Sequence, residues 1–341
     1  MANSTQQLHQ AGQSLWLDNI TRKILDDGTL VDYRDRLSVT GLTSNPSIFD
    51  KAIGSGDDYK DAIKALRKTD PEQIFFDLAI DDLRRAAEIF HPIHTRTAGV
   101  DGWVSLEVSP LLADDTDGTV AQAVDLHARA ATTNLYIKVP GSAAGIGAIE
   151  ELIYRGVPIN VTLLFSPAQY QAAAEAWMRG VERRIAEDLN PDVPSVASIF
   201  ISRWDVKVAE TTPAEMHNRI GLAVAGSAYV RYCNLLDSAR MRRLLNAGAR
   251  PQRLLWASTS TKDPKASDVL YVENLFAPLT INTIPGKTLL AYADHGTLQP
   301  AMSTDDAPAR AELEQFAKRG LHVDALGAQL QDEGAAAFST S

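Results

Sequence analysis

A lysine inside an apolar run is the feature of this sequence that most directly suggests chemistry. Lys138 stands in the segment Leu135–Pro140, LYIKVP, where a charged amine is costly to bury unless it is paired or chemically useful. Burial favours the neutral form of an amine, and a neutral amine can attack a ketone carbon. The alternative is a structural lysine that is ion-paired with Asp18 or Glu107.

Two carboxylates, Asp18 and Glu107, lie at the ends of other apolar runs. Imine chemistry needs proton transfers that form a carbinolamine, expel water and deprotonate a hydroxyl group. Convergence of both carboxylates on Lys138 would therefore favour a catalytic site. Taken singly, Asp18 could be a helix cap before Thr21, and Glu107 could be a surface charge.

Other polar residues end or interrupt the remaining apolar runs: Asn45, Asn160, Thr162, Ser198, Arg203, Ser258 and Ser260. Arg203, Ser258, Ser260 and Lys262 offer the guanidinium, hydroxyl and ammonium donors of a phosphate clamp. For Lys262 the alternative is an ordinary exposed lysine in a solvated loop.

These residues need elements that bring them together, and the chain alternates short apolar runs with longer segments of helical periodicity. The predicted strands are 14–18, 39–43, 102–107, 134–139, 158–164, 196–201, 253–257 and 279–284. The predicted helices include 70–90, 119–131, 167–188, 213–247 and 307–320. This order predicts an α/β fold, a single (β/α)8 TIM barrel with additional helices, whose strand ends would gather the polar residues at one mouth. An open doubly wound sheet has the same alternation and is the alternative.

No linker rich in Gly, Ser or Pro divides the chain, so we predict one domain over residues 1–341. Within it, 1–12 would be an N-terminal arm and 300–341 a C-terminal helical segment. The amphipathic pattern at 326–334 stops before an alanine-rich stretch. A chain that is trimmed, or is part of something longer, is therefore the expectation.

Composition narrows the choice of partners. A net charge of -10, with no basic run interleaved with aromatic residues, argues against nucleic acid. The single cysteine, Cys233, allows no intrachain disulfide or thiolate cluster. His91 and His94 lack a convincing third ligand, so no metal is predicted. A polar start and the lack of a membrane-length apolar run predict a cytoplasmic protein with no membrane partner.

Three ordered blocks of the sequence resemble the transaldolase family. Residues 41–49, GLTSNPSIF, resemble its signature near the second strand, and Leu135–Pro140 resembles the segment that carries its Schiff-base lysine. Residues 159–166, INVTLLFS, match a third block. The resemblance runs from about residue 14 to 334 and is nearest to the longer bacterial transaldolases. Because that group also occurs fused to glucose-6-phosphate isomerase, fusion to or association with that isomerase is an expectation.

The resemblance implies a class I aldolase-like barrel without a cofactor, acting on sugar phosphates in the non-oxidative pentose phosphate pathway. Lys138 would form an imine with fructose 6-phosphate or sedoheptulose 7-phosphate. Asp18 would remove the C4 hydroxyl proton, and Glu107 with Thr162 would position a water. The dihydroxyacetone unit would then pass to erythrose 4-phosphate or glyceraldehyde 3-phosphate.

The resemblance also implies the binding residues. Asn45 and Asn160 would hold the three-carbon intermediate, Ser198 and Phe200 would line the sugar site, and Arg203 would bind phosphate. The second phosphate-binding arginine of the family, after strand seven, is missing from residues 257–262, ASTSTK. Three residues of this loop could replace it: Ser258, Ser260 and Lys262.

Two other functions compete with this interpretation. A fructose 6-phosphate aldolase would form the same imine but release dihydroxyacetone. A noncatalytic sugar-phosphate-binding barrel would keep Lys138 as an ion-paired residue and form no covalent adduct.

Overall fold

Eight parallel strands close into a barrel in a computed structural model that describes residues 3–55, 58–66 and 70–341. Each strand pairs with its neighbours in chain order, and β8 returns to pair with β1. The strands are β1 Ser14–Asp18, β2 Val39–Thr43, β3 Val104–Glu107, β4 Leu135–Pro140, β5 Ile159–Leu164, β6 Ser195–Phe200, β7 Arg253–Ala257 and β8 Ile281–Ile284. The predicted TIM barrel is confirmed, and the closed topology excludes the open sheet.

Helices surround the barrel and fill the connections between strands. In the described part of the chain they are α1 Ser4–Gln10, α2 Arg22–Asp26, α3 Thr29–Leu37, α4 Pro46–Ser55, α5 Lys60–Ala65, α6 Pro71–Arg96, α7 Thr116–Ala130, α8 Ala143–Tyr154, α9 Pro167–Ala186, α10 Ser202–Val208, α11 Ile220–Leu236, α12 Ala239–Asn246, α13 Leu270–Asn274, α14 Gly286–His295, α15 Ala307–Ala317 and α16 Val323–Thr340. None of those helices is both long and apolar enough to cross a membrane.

The sequence predicted several helix bounds well and one of them wrongly. The predicted helix 213–247 is divided into a 3-10 turn, α11 and α12. It breaks because the Ser238 side chain accepts a hydrogen bond from Met241 N and starts a new helix. The predicted arm 1–12 contains a helix, α1, with a capping box at Asn3.

Helix α16 lies within the predicted helical segment 300–341, and it continues past the amphipathic pattern at 326–334 to Thr340. The stretch after Gly334 is rich in alanine, the residue with the highest helix propensity. Its one large apolar side chain, Phe338, is buried. These two properties extend the helix beyond its amphipathic pattern.

An aromatic stack fills the part of the barrel on the amino-terminal side of Lys138. Tyr136, on β4, stacks on Trp103 with ring centroids 4.1 Å apart, and the ring centroid of Trp16, on β1, lies 6.2 Å from that of Tyr136. Gly41 on β2 is required there, because a Cβ atom would lie 2.7 Å from both the Trp16 ring and the Trp103 carbonyl. Alternate residues of a strand share one face, so the strand that points Tyr136 inward also points Lys138 inward, above the stack.

Candidate active site

Strand register brings the predicted polar residues to the same height of the barrel. Glu107 pairs with Lys138, and Lys138 pairs with Asn160, across three adjacent strands. Asp18 pairs with Thr43 on β1 and β2. Asp18, Thr43 and Glu107 end their strands, at the carboxyl ends where the active sites of TIM barrels lie. Lys138 lies two residues before the end of β4, and Asn160 is the second residue of β5.

Lys138 is buried and makes two close polar contacts. Its Nζ atom lies 2.8 Å from Glu107 Oε2, and it donates a hydrogen bond of 2.8 Å to the Ser44 carbonyl oxygen. Only 5% of the residue is exposed. The carbonyl belongs to the TSNP turn after β2, which is fixed because Ser44 Oγ donates to the Ser105 carbonyl on β3. The amine is therefore held at a set position on the cavity wall.

Both carboxylates near Lys138 have a raised pKa. For Glu107, desolvation by burial raises the pKa, and the nearby Lys138 opposes this. For Asp18, burial also raises the pKa, while Lys138, a hydrogen bond from Thr43 and the charge of Lys262 lower it. The Asp18 carboxylate accepts that bond from Thr43 Oγ1 at 2.9 Å. A raised pKa makes an ionised carboxylate a stronger base, which suits it to proton transfer.

Thr162 presents a hydroxyl group with no partner. The residue is fully buried, lines the cavity, and its Oγ1 forms no hydrogen bond with any described residue. Next to it, Leu163 has a φ angle of 57°, and the register of β5 against β6 shifts between Val161 and Leu164. Left-handed backbone at a leucine costs free energy and is often retained at functional sites. The irregular backbone sets the direction of Thr162.

Asn160 and Asn45 differ in their access to the cavity. Asn160 is fully buried, does not line the cavity, and accepts a 2.6 Å hydrogen bond from Ser198 Oγ, which does line it. Asn45 lines the cavity, and its Oδ1 accepts a hydrogen bond from Ile48 N at the start of α4. The Nδ2 hydrogens of Asn45 remain available to a ligand.

The residues of the predicted phosphate clamp line the same cavity. Arg203, at the start of α10, lies near Ser258, whose hydroxyl is 2.8 Å from that of Ser202. Lys262 donates a 2.6 Å hydrogen bond to Ser260 Oγ. Burial lowers the pKa of the Arg203 guanidinium, which still remains charged at any ordinary pH. Two cations and several hydroxyl groups thus face one small space.

The cavity itself has a volume of about 180 Å³. Ten of the twelve predicted site residues line it, and Glu107 and Asn160 do not. Sequence reasoning missed six lining residues: Thr43, Ser47, Ala257, Thr283, Pro285 and Phe338. Thr43 and Thr283 could have been found by their place at strand ends, since their hydroxyls lie 2.6 Å apart there. Phe338 had no such signal.

The barrel and the residues at its mouth define the class of protein, a (β/α)8-barrel enzyme of the class I aldolase type. The sequence of the chain then gives the family. Residues 15–341 match the family described as transaldolase/fructose-6-phosphate aldolase, and the chain belongs to that family.

Relatives over nearly the full length agree with this assignment. A protein named transaldolase from Thiobacillus denitrificans is 43% identical, over 99% of this chain and 97% of its own length. A transaldolase from Thermobifida fusca is 41% identical, over 100% of this chain and 96% of its own. A protein named transaldolase 2 from Nostoc punctiforme is 37% identical, over 94% of this chain and 90% of its own length.

Proposed function

We propose that this enzyme transfers a dihydroxyacetone unit between sugar phosphates through an imine on Lys138. The donor would be sedoheptulose 7-phosphate or fructose 6-phosphate, and the acceptor glyceraldehyde 3-phosphate or erythrose 4-phosphate. The observation that carries the proposal is the buried Lys138 amine, held 2.8 Å from Glu107 in a cavity that also contains Asp18 and Arg203.

The first step joins the lysine to the donor. Lys138 passes a proton to Glu107, 2.8 Å away, and its Nζ attacks the C2 ketone. The ketone oxygen takes up the proton that the attacking amine releases, which gives a carbinolamine. Glu107 then gives the proton received from Lys138 to the C2 hydroxyl, which leaves as water. Thr162, with its unpartnered hydroxyl, holds that water. The product is an imine and one water molecule.

The second step breaks the C3–C4 bond. Asp18 removes the proton of the C4 hydroxyl, the C4–O bond becomes a carbonyl, and the electron pair of the C3–C4 bond moves into the imine. The products are an aldose phosphate and an enamine of dihydroxyacetone on Lys138. The amide of Asn45 and the hydroxyl of Ser198 hold this intermediate, and Asn160 orients Ser198 through their 2.6 Å hydrogen bond.

The third step is the reverse of the second with another aldehyde. The enamine carbon attacks the acceptor carbonyl, Asp18 returns its proton to the new hydroxyl, and water hydrolyses the imine. Arg203 binds the phosphate of donor and acceptor in turn, with Ser258, Ser260 and Lys262 beside it, and Phe200 forms the wall between the sugar and the guanidinium.

The test is chemical trapping on Lys138. We expect incubation with fructose 6-phosphate and borohydride, followed by peptide mapping, to find a reduced dihydroxyacetone adduct on the peptide that contains Lys138. Lys138→Met fills the same space without an amine and should lose transfer by on the order of 10⁴-fold. Lys318→Ala, at an exposed lysine directly after α15, serves as the control. A folded wild-type protein without adduct would overturn the proposal.

Product analysis separates the two activities in the family description. A transferase consumes fructose 6-phosphate only when an acceptor aldehyde is present, whereas an aldolase releases free dihydroxyacetone without one. We expect consumption to depend on the acceptor.

The proposal also includes a cellular setting. We place the enzyme in the cytoplasm, in association with glucose-6-phosphate isomerase or fused to it, because the isomerase makes the donor fructose 6-phosphate. Co-sedimentation of the two purified proteins would support this association, and independent sedimentation would contradict it.

A further inference from the structure

Arg203 is a cation without an anionic partner in direct contact. In the described part of the chain, its guanidinium forms no ion pair and no hydrogen bond, although the residue is half-buried, and the carboxylate of Glu107 acts on it only through its charge. Desolvated guanidinium donors without partners are unfavourable unless a ligand completes them. The free N–H groups of Arg203 therefore point to an anion that binds in the cavity.

Two aromatic rings hold this guanidinium instead of a carboxylate. Its central carbon lies 5.3 Å from the ring centroid of Phe200 and 5.9 Å from that of Phe338. Contact with ring faces covers the faces of the planar guanidinium and leaves its N–H edges available. The two phenylalanines come from distant parts of the chain, β6 and α16.

Helix α16 is anchored so that Phe338 reaches the cavity. Gln331 Nε2 donates hydrogen bonds of 3.0 Å to the Gly141 carbonyl and 2.8 Å to the Leu163 carbonyl, at the ends of β4 and β5. Gly334, one turn before Phe338, lets the helix approach closely, since a Cβ atom there would lie 3.3 Å from Arg203 Nη1. Phe338 is 3% exposed, whereas its neighbours Ala337 and Ser339 are exposed.

We propose that Phe338 is a positioning residue that holds Arg203 for the phosphate group of the substrate. This inference rests on the proposed function for the identity of that substrate, a phosphomonoester of a sugar. Arg203 can bind such a dianion with two parallel N–H···O bonds only when its plane is fixed. Phe338 restricts that plane together with Phe200, so helix α16 supplies part of the phosphate site.

Phe338 also separates two cavities, which determines the choice of variant. It lines the active-site cavity and a second cavity of about 340 Å³ that is bounded by Asn45 and Glu107. An alanine at position 338 would join the two spaces and disturb more than Arg203. Leucine keeps most of the volume and removes only the ring face, so Phe338→Leu is the informative substitution.

The matched control is the same change at another buried phenylalanine. Phe316, on α15, is fully buried in the same hydrophobic cluster as Phe338, and the guanidinium of Arg203 does not stack on it. Phe316→Leu therefore reports the effect of packing alone. Both variants are compared with the wild type at equal folded concentration.

The experiment measures phosphate recognition in two ways. In the transfer assay, with unphosphorylated glyceraldehyde as acceptor, we expect Phe338→Leu to raise the KM for fructose 6-phosphate about 3- to 10-fold, within the range of one cation–π contact. We expect its kcat, and its kcat/KM for unphosphorylated fructose, to change less than about twofold. Calorimetric titration with inorganic phosphate should show the same loss of affinity, about 3- to 10-fold.

Either of two results would overturn the inference. One is an equal phosphate affinity in Phe338→Leu and Phe316→Leu. The other is an equal loss of kcat/KM in Phe338→Leu for fructose 6-phosphate and for unphosphorylated fructose, which would indicate packing alone. Failure of the wild type to form a borohydride adduct would instead contradict the proposed function. The phosphate affinities do not depend on turnover, so they decide the position of Phe338 in either case.

Discussion

At the scale of single residues, the surroundings of Lys138 explain why a lysine is stable inside the barrel. Glu107 and the Ser44 carbonyl each lie 2.8 Å from its Nζ atom, so the buried amine is not left without partners. Asp18 lies on β1, two strands from Glu107, and is held by Thr43. The two carboxylates therefore have different hydrogen-bond partners, which allows them different tasks.

Substitution of Asp18 should stop the reaction after imine formation. Asp18→Asn keeps an oxygen that can accept the Thr43 hydrogen bond, but it removes the base that takes the C4 hydroxyl proton. We expect kcat to fall about 10²- to 10⁴-fold. Borohydride should then trap the whole six-carbon donor with its phosphate on Lys138, and intact mass distinguishes this adduct from the three-carbon one.

Glu107→Gln is the matched control for that prediction. It should slow formation of the adduct, because the acid that expels water is gone, yet the adduct that forms should contain three carbons. A three-carbon adduct formed by Asp18→Asn at the wild-type rate would show that Asp18 is not the base.

Site residues that lie on the strands could be predicted from the sequence, whereas a site residue that a distant helix brings to the cavity could not. Asp18, Glu107 and Lys138 each end or interrupt an apolar run, so their place at the barrel mouth follows from the period of a strand. Phe338 lies in an alanine-rich segment with no charge or motif beside it. Its contact with Arg203 depends on the path of α16 across the mouth, which no local pattern encodes.

At the scale of elements, a buried carboxylate joins three helices near the phosphate clamp. Asp205 on α10 accepts hydrogen bonds from Tyr271 OH of α13 at 2.8 Å and from Gly221 N of α11 at 3.2 Å. Its other oxygen, Oδ1, has no hydrogen-bond partner among the described residues. Desolvation by burial raises the pKa of Asp205 to about 6.

This raised pKa predicts how stability depends on pH. The ordinary value for Asp205 is 3.8, so between about pH 4 and pH 6 the folded chain binds more protons than the unfolded chain. The contribution of Asp205 to the free energy of unfolding therefore falls as pH rises through this window, by roughly 2–3 kcal/mol. Asp205→Asn cannot titrate, so the wild type should lose stability relative to this variant from pH 4 to pH 6.

Urea denaturation of both proteins at several pH values measures this difference. The amide that replaces the Asp205 carboxylate in the variant retains an acceptor oxygen for Tyr271 and Gly221, which keeps the three helices joined. Parallel stability profiles of the two proteins from pH 4 to pH 6 would contradict the prediction.

The elements also show what a local pattern can predict. Bounds of β1, β2 and β7 follow from the apolar runs alone, because a strand buried on both faces is a continuous apolar segment. The helix predicted at 213–247 was wrong, since its periodic pattern continues through the cap at Ser238. A capping side chain can end one helix and begin the next without any change in hydrophobicity.

At the scale of the whole molecule, we expect residues 1–341 to unfold as one unit. The barrel closes through the pairing of β8 with β1, so loss of either strand opens the sheet for all the others. All five tryptophans are buried, and tryptophan fluorescence should therefore report the same urea midpoint as far-ultraviolet circular dichroism. Two different urea midpoints would instead show that the chain unfolds as more than one domain.

The overall topology was predictable for a physical reason. Eight strands that alternate with helices have few ways to bury both faces of a parallel sheet, and a closed barrel is one of them. The distances between site residues were not predictable, because they depend on register and on the irregular backbone at Leu163.

The register of Glu107, Lys138 and Asn160 has a consequence for how the chain could be rearranged. Three neighbouring strands hold these side chains at one height, and their spacing is fixed by the sheet and not by the connections at its opposite end. A circular permutant whose new chain termini lie in those opposite connections would therefore keep the same spacing of the three side chains. A slip of β4 by a single residue would instead turn Lys138 out of the barrel.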